Sequence, residues 1–265
     1  MSDLVLVDDN DGVRTITINR PDKKNALSHV MYAAMADAVL GGESDTNTRV
    51  IVITGTKDCF TSGNDLVDFL GAPPDLTNDD RPPVSRFMYA LLEAKKPVIA
   101  AVEGPAVGIG VTLLLHCDFA YAGEQAYFLT PFVNLALPPE YASTLLLPRA
   151  IGPKKANEML MLGEKMSAND AAKVGLITDV TVNGGALARA KQIAQKLAAK
   201  APTAMVITKE LLSLPPEMPV DRMNRESALF GPRLQSAEFK ESVAAFFEKR
   251  DPDYTSCADD GGDNY

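Results

Sequence analysis

Lys96-Pro97-Val98-Ile99-Ala100-Ala101-Val102-Glu103-Gly104-Pro105-Ala106-Val107-Gly108-Ile109-Gly110 is the stretch whose pattern fixes the kind of fold. Residues 98–102 form a continuous apolar run of strand length, as in a strand buried on both faces of a parallel sheet. A glycine turn follows, and residues 111–116 then take up helical spacing. A strand that ends in such a turn and opens a helix places its loop where α/β folds carry their sites. The glycines Gly104, Gly108 and Gly110 let a substrate approach the backbone, and free N–H groups at a helix start face developing negative charge. They equally suit a tight turn with close helix packing, and the local pattern supports both readings. It is not a dinucleotide fingerprint, because Leu113 stands at the third glycine position.

Working outward, the alternation extends in both directions. Residues 4–8 and 13–18 are β-rich runs joined by Asp9-Asn10-Asp11-Gly12, which suits a hairpin turn. Ser28 is placed as an N-cap before helically spaced Met31, Met35, Ala38 and Val39, and Gly41-Gly42 is expected to end that helix. Residues 50–54 read as a second buried strand, 71–83 as a Pro-rich break and 84–94 as a helix. Further helices are expected over 140–147, 154–162, 168–174 and 186–200, with a strand at 119–122. From Pro202 onward strands vanish and about three helices remain. The expectation is an α/β core with a helical C-terminal region.

The chain has 265 residues and an apolar fraction of 46 %, enough for a sizeable core. A formal net charge of −9 argues against nucleic acid, whose phosphates need clustered Lys and Arg. Part of that charge sits at 251–265, where Asp259, Asp260, Gly261, Gly262 and Asp263 are expected to stay solvated and flexible. No apolar run is long enough to span a membrane. The start, Met1-Ser2-Asp3, lacks the features of a signal peptide, and Asp263-Asn264-Tyr265 is not a peroxisomal address, so the cytoplasm is the expected compartment. Three scattered cysteines, Cys59, Cys117 and Cys257, form no C-x-x-C pair, and no metal site is expected.

Two more segments carry candidate chemistry. Cys59-Phe60-Thr61-Ser62-Gly63-Asn64-Asp65-Leu66 follows the buried strand at 50–54; a strand-end site and an ordinary polar turn both fit it. In Leu137-Pro138-Pro139-Glu140-Tyr141 an acid follows two prolines among apolar neighbours. Burial would raise its pKa and make it a proton shuttle near neutral pH, whereas a place in the first turn of a helix would lower the pKa. His116-Cys117-Asp118 has adjacent side chains that diverge, so a core place at a helix end is expected, and His29 is expected to be solvated. No Gly-x-Ser-x-Gly elbow and no Walker loop occur.

Taken in order, these segments resemble the crotonase superfamily of enoyl-CoA hydratases and isomerases. The resemblance rests on Asn19-Arg20-Pro21, Lys24-Asn25-Ala26-Leu27, the SGNDL stretch from Ser62, Lys96 to Gly110, Cys117-Asp118, Ala150-Ile151-Gly152, Ala171 to Ile177 and Phe246-Phe247-Glu248-Lys249-Arg250. It implies a crotonase-type α/β fold, a spiral of ββα units. Residues 1–200 would form the core, 201–250 a helical trimerisation region and 251–265 a tail. It also implies an acyl-coenzyme A substrate, no separate cofactor, and a homotrimer or dimer of trimers, without membrane or nucleic acid.

Carried over position by position, the resemblance makes the backbone N–H groups of Asn64 and Ile109 an oxyanion hole. Ser62, Gly63, Asn64, Asp65 and Leu66 would line the thioester, with Gly108, Ile109, Gly110 and Phe132. Lys23, Lys24 and Ala26 would approach the nucleotide or pantetheine, and Lys240 and Lys249 a neighbour's coenzyme. The two glutamates of the hydratases correspond to Thr112 and Phe132, neither of which is a carboxylate. Glu140 instead matches the single catalytic acid of the peroxisomal-type Δ3-Δ2-enoyl-CoA isomerases. The resemblance therefore implies double-bond migration, with hydration or another crotonase-type reaction, or acyl-CoA binding without turnover, as alternatives.

Overall fold

A computed structural model describes residues 4–71 and 81–257. The expectations for residues 1–3, for most of the Pro-rich break at 71–83 and for Asp259 to Asp263 lie outside the described residues.

Strands β1 (Val5–Asn10) and β2 (Val13–Ile18) form the expected hairpin, with Val5 opposite Ile18 and Asn10 opposite Val13. Helix α1 (His29–Ser44) starts at Ser28, whose Oγ accepts from Met31 N. It buries Met31, Tyr32, Met35 and Val39 completely, each contributing about 1.5–3 kcal/mol. The helix does not stop at Gly41-Gly42 as expected. A Cβ on Gly42 would lie 3.1 Å from Ile51 Cδ1, so this glycine serves close contact with the sheet instead of termination.

Beyond β3 (Val50–Thr54), helix α2 (Leu66–Gly71) and helix α3 (Pro83–Leu92) precede β4 (Val98–Val102). Both strands are buried at every position, which explains their apolar sequence; the one polar residue, Thr54, donates its hydroxyl to Ala101 O. The turn after β4 contains a strand that the sequence did not reveal, β5 (Pro105–Val107). Helix α4 (Ile109–Thr112) and a 3-10 turn (Leu113–His116) lead to β6 (Phe119–Gly123). Next come β7 (Tyr127–Leu129), α5 (Ser143–Ile151), α6 (Pro153–Asn157), a wider helical turn (Glu158–Leu162) and β8 (Met166–Ser167). Helix α7 (Ala168–Val174), β9 (Asp179–Thr181) and α8 (Ala186–Ala198) complete the α/β part.

The main sheet runs β1-β2-β3-β4-β6-β9, parallel except for the β1–β2 pair, and a small sheet runs β5-β7-β8. Helices α1 and α3 cover one face, where Tyr32 and Phe87 meet at 5.9 Å. Helix α8 covers the other through Ala186, Ala190 and Ala194, small residues that let it lie close on Val50, Val52 and Ile99. The α/β core with a helical C-terminal region is therefore the architecture found.

Helices α9 (Pro202–Ser213), α10 (Pro219–Arg233) and α11 (Ala237–Glu248) form that region. Lys209 Nζ ties α9 to the core, donating to Lys96 O and Asp118 Oδ2 at 2.8 Å each. Neither α9 nor α10 has a buried residue.

Candidate active site

Two neighbouring loops leave two backbone N–H groups unused. After β3 the chain doubles back, and residues 61–65 run between two parallel neighbours. On one side Leu27 N donates to Gly63 O at 2.8 Å and Asp65 N donates to Leu27 O at 2.9 Å. On the other, Thr61 N donates to Pro105 O and Val107 N to Thr61 O, both at 3.0 Å. Asn64 N–H takes no part in either ladder, and no acceptor among the described residues meets it. Gly63 packs so closely on the second loop that a Cβ would stand 3.1 Å from Val107 O.

The second loop is built around Gly108. Its φ of +57° and ψ of −114° are open to glycine, and a Cβ there would meet nothing within 4 Å, so backbone conformation and not packing requires it. Gly108 N donates to Leu129 O at 2.8 Å, while Val111 N and Thr112 N both donate to Gly108 O. Ile109 N–H, at the first position of α4, meets no acceptor among the described residues. The β5 strand missed in the sequence thus matters: it stitches the Asn64 loop to the Ile109 loop.

Glu140 lies in the coil before α5. The sequence left two opposing effects open, and the geometry separates them. Helix α5 starts at Ser143, not at Glu140 as expected, because Tyr141 and Ala142 adopt left-handed φ values of 58° and 55°. Glu140 O accepts from Ser143 N at 3.1 Å and from Ser143 Oγ at 2.6 Å. Its carboxylate caps nothing: Oε1 is buried without a hydrogen-bond partner. Burial pushes its pKa up to about 7.

Tyr32, unremarked in the sequence, links Glu140 to the loops. The fully buried Tyr32 hydroxyl donates to Asn64 Oδ1. Its pKa is raised first by burial and then by the charge of Glu140, so Glu140 and the Asn64 side chain share one neighbourhood. A tyrosine in an otherwise apolar helix stripe was the available signal, since a buried phenol needs a partner. Thr112 Oγ1 is likewise buried without a partner, one turn after Ile109.

The other expected site residues are placed unevenly around this centre. Asp65 Oδ2 pairs with Arg20 Nη1 at 2.7 Å, and its Oδ1 accepts from Val67 N and Asp68 N, so it caps α2. Ala26 N donates to Lys23 O, and Ala26 O accepts from Arg20 Nη1 at 3.0 Å. Lys23 and Lys24 are exposed beside the loop, where Lys24 O accepts from Ser62 N at 3.0 Å. Leu66 is half exposed, Gly110 is buried, and Phe132 belongs to the core cluster. Lys240 and Lys249 are exposed on and just after α11. His29 is not simply solvated: its ring stacks on Phe69 at 4.7 Å. Glu103 Oε1 accepts from Ala186 N at 2.9 Å, which commits that acid to α8. Among the described residues no cluster of His, Cys, Asp and Glu could hold a metal ion, and no helix is long and apolar enough to cross a membrane.

Comparison with known proteins gives this geometry a context. Residues 8–257 match the enoyl-CoA hydratase/isomerase family. The mouse enoyl-CoA delta isomerase 3, peroxisomal, is 41 % identical over 66 % of this chain and 56 % of its own length. Human enoyl-CoA delta isomerase 2 is 34 % identical over 93 % of this chain and 64 % of its own, so the chain spans less than two thirds of both. The 2,3-dehydroadipyl-CoA hydratase of Escherichia coli K12 is 35 % identical over 96 % of this chain and 99 % of its own. Among solved structures, one from Magnetospirillum magneticum AMB-1 superposes with a TM-score of 0.91 at 44 % identity, covering 96 % of this chain and 100 % of that one. Pseudomonas aeruginosa OdaA gives 0.78 at 46 % identity, covering 92 % and 99 %. With its family matched over nearly the whole chain, the protein belongs to the enoyl-CoA hydratase/isomerase family of the crotonase superfamily.

Proposed function

We propose that this protein is an enoyl-CoA isomerase that moves a double bond from C3 to C2 of an acyl thioester, with Glu140 as its single acid and base. The observation that carries the reading is the Glu140 carboxylate itself, with one oxygen buried and unpartnered and a pKa pushed up by burial to about 7. Thr112 and Phe132, at the positions of the hydratase glutamates, offer no second carboxylate.

In the proposed mechanism the thioester oxygen rests on Asn64 N–H and Ile109 N–H. Glu140 takes a proton from C2; the C–H electron pair forms the C1–C2 double bond while the carbonyl pair moves onto oxygen. When the carbonyl re-forms, the C1–C2 pair shifts to C2–C3 and the C3–C4 pair takes the proton back from Glu140 at C4. Each backbone donor is worth ~10²–10³ in rate, because it meets charge that develops only in the dienolate. The acid–base step adds ~10²–10⁴. No separate cofactor enters this scheme, and coenzyme A is part of the substrate. Lys23 and Lys24, exposed beside the Ser62 loop, suit its phosphates.

A homotrimer or dimer of trimers fits the C-terminal helices. A groove of roughly 720 Å³ between α9, α10 and α11 is lined by Met223, Phe230, Leu234 and Phe239, far richer in exposed apolar side chains than a free surface needs. The cytoplasm stays the proposed compartment, although the mouse relative is named as peroxisomal.

Glu140→Gln tests the reading. A 3-enoyl-CoA followed by the absorbance of the conjugated product should isomerise ~10²–10⁴ more slowly with the variant. Parent-like rates would remove Glu140 from the chemistry. Hydration, favoured by the Escherichia coli relative, is tested by supplying a 2-enoyl-CoA: decay of conjugation at a rate above that of isomerisation would replace the proposal.

A further inference from the structure

The backbone on the C-terminal side of Glu140 is unusual. Tyr141 and Ala142 are consecutive left-handed residues, neither of them glycine, a strained conformation that persists only where its surroundings hold it. Three contacts do so. His116 Nε2 lies 3.1 Å from Tyr141 O; because a carbonyl only accepts, Nε2 carries the proton and donates. The His116 ring stacks on the Tyr141 ring, with centroids 3.8 Å apart and planes 20° apart. The Tyr141 hydroxyl donates to Met88 O on α3 at 2.6 Å.

We infer that His116 and Tyr141 are positioning residues, a clamp that fixes the left-handed corner after Glu140 and so holds its carboxylate, with Oε1 buried and unpartnered, for proton transfer. The inference rests on the reading of Glu140 as the base. The clamp joins the Glu140 coil to the 3-10 turn at Leu113–His116, which continues the helix begun at Ile109, and to α3. One side chain therefore sets the proton-transferring acid relative to the Ile109 N–H. Burial lowers the pKa of His116, and its Nε2–H donates to Tyr141 O in the neutral and the protonated ring alike. The hydroxyls of Tyr32 and Tyr141 carry the charge coupling to Glu140, and burial keeps both protonated.

The test compares full-length variants with the parent on a 3-enoyl-CoA. His116→Phe keeps the ring stack and removes the donor. It should lower kcat by ~10–10² with little change in KM, since a misplacement of about 1 Å costs on that order. The Glu140 ionisation seen in the pH profile of kcat/KM should fall below its parent value as water reaches the freed carboxylate. His116→Gln, which can still donate, should recover much of the rate. Tyr141→Phe, which deletes only the bond to Met88 O, should lower kcat severalfold and keeps the test available if His116→Phe fails to fold. In a Glu140→Gln background neither change should slow the reaction further. If His116→Phe and Tyr141→Phe lower thermal stability but leave kcat and the pH midpoint untouched, the clamp is purely structural and the inference is overturned. If Glu140→Gln alone keeps parent activity, the reading of the base fails instead, so the two failures are distinct.

Discussion

In the proposed mechanism Glu140 serves rate and stability with opposite signs. Its pKa of about 7 in the folded chain exceeds the usual 4.5, so the folded state binds more protons between those values. Stability contributed by the protonated form is complete below pH 4.5 and is lost as pH rises through 7, by about 3 kcal/mol at most. In the proposed mechanism the rate needs the carboxylate, so kcat/KM should rise through the same window and level above it. Urea unfolding from pH 4 to 8 should therefore show Glu140→Gln gaining on the parent as pH rises, with no gain at pH 4. A constant difference across that range would mean that burial does not raise the pKa of the acid. The sequence stated this acid's two fates without choosing, because the choice turned on where α5 begins. Left-handed Tyr141 and Ala142 leave no trace in residue type, whereas Asn64 and Ile109 could be carried over through their neighbours.

At the scale of elements, legibility followed length. The buried strands β3 and β4 were read correctly because each is a run of apolar residues, broken only by Thr54 at the end of β3. Strands β5, β7 and β8 have two or three residues, too few for any period to register, and their pairing is set by chain segments far apart in sequence. The end of α1 was misplaced for another reason: Gly41-Gly42 carries a stop signal that packing against Arg14 and Ile51 overrides. The glycine of the Ile109 loop is where element geometry meets chemistry. Gly108→Ala has space for its methyl group but not the backbone freedom, so it should cost about 1–3 kcal/mol in stability. It should also turn Ile109 N–H away and lower kcat by ~10²–10³, the worth of one oxyanion donor. Melting curves and initial rates together check this, and an unaltered kcat would separate that N–H from catalysis.

For the whole molecule, the C-terminal helices are its least finished part. Phe230 is 65 % exposed and Phe246 and Phe247 are each 77 % exposed, while no residue of α9 or α10 is fully buried within the chain. Sedimentation velocity should give a trimer or hexamer for the parent and smaller species for Phe230→Asp; a monomeric parent would contradict that assembly. The helical nature of this region was legible, but its apolar groove was not, because three helices contribute to it. The central proposal is that one carboxylate, Glu140 with its buried Oε1, both removes and returns the proton. Isomerisation of a 3-enoyl-CoA in deuterium oxide, stopped at low conversion and read by NMR, tests this directly. The account predicts that much of the proton taken from C2 reappears at C4. Full deuteration at C4 from the first turnover would contradict it.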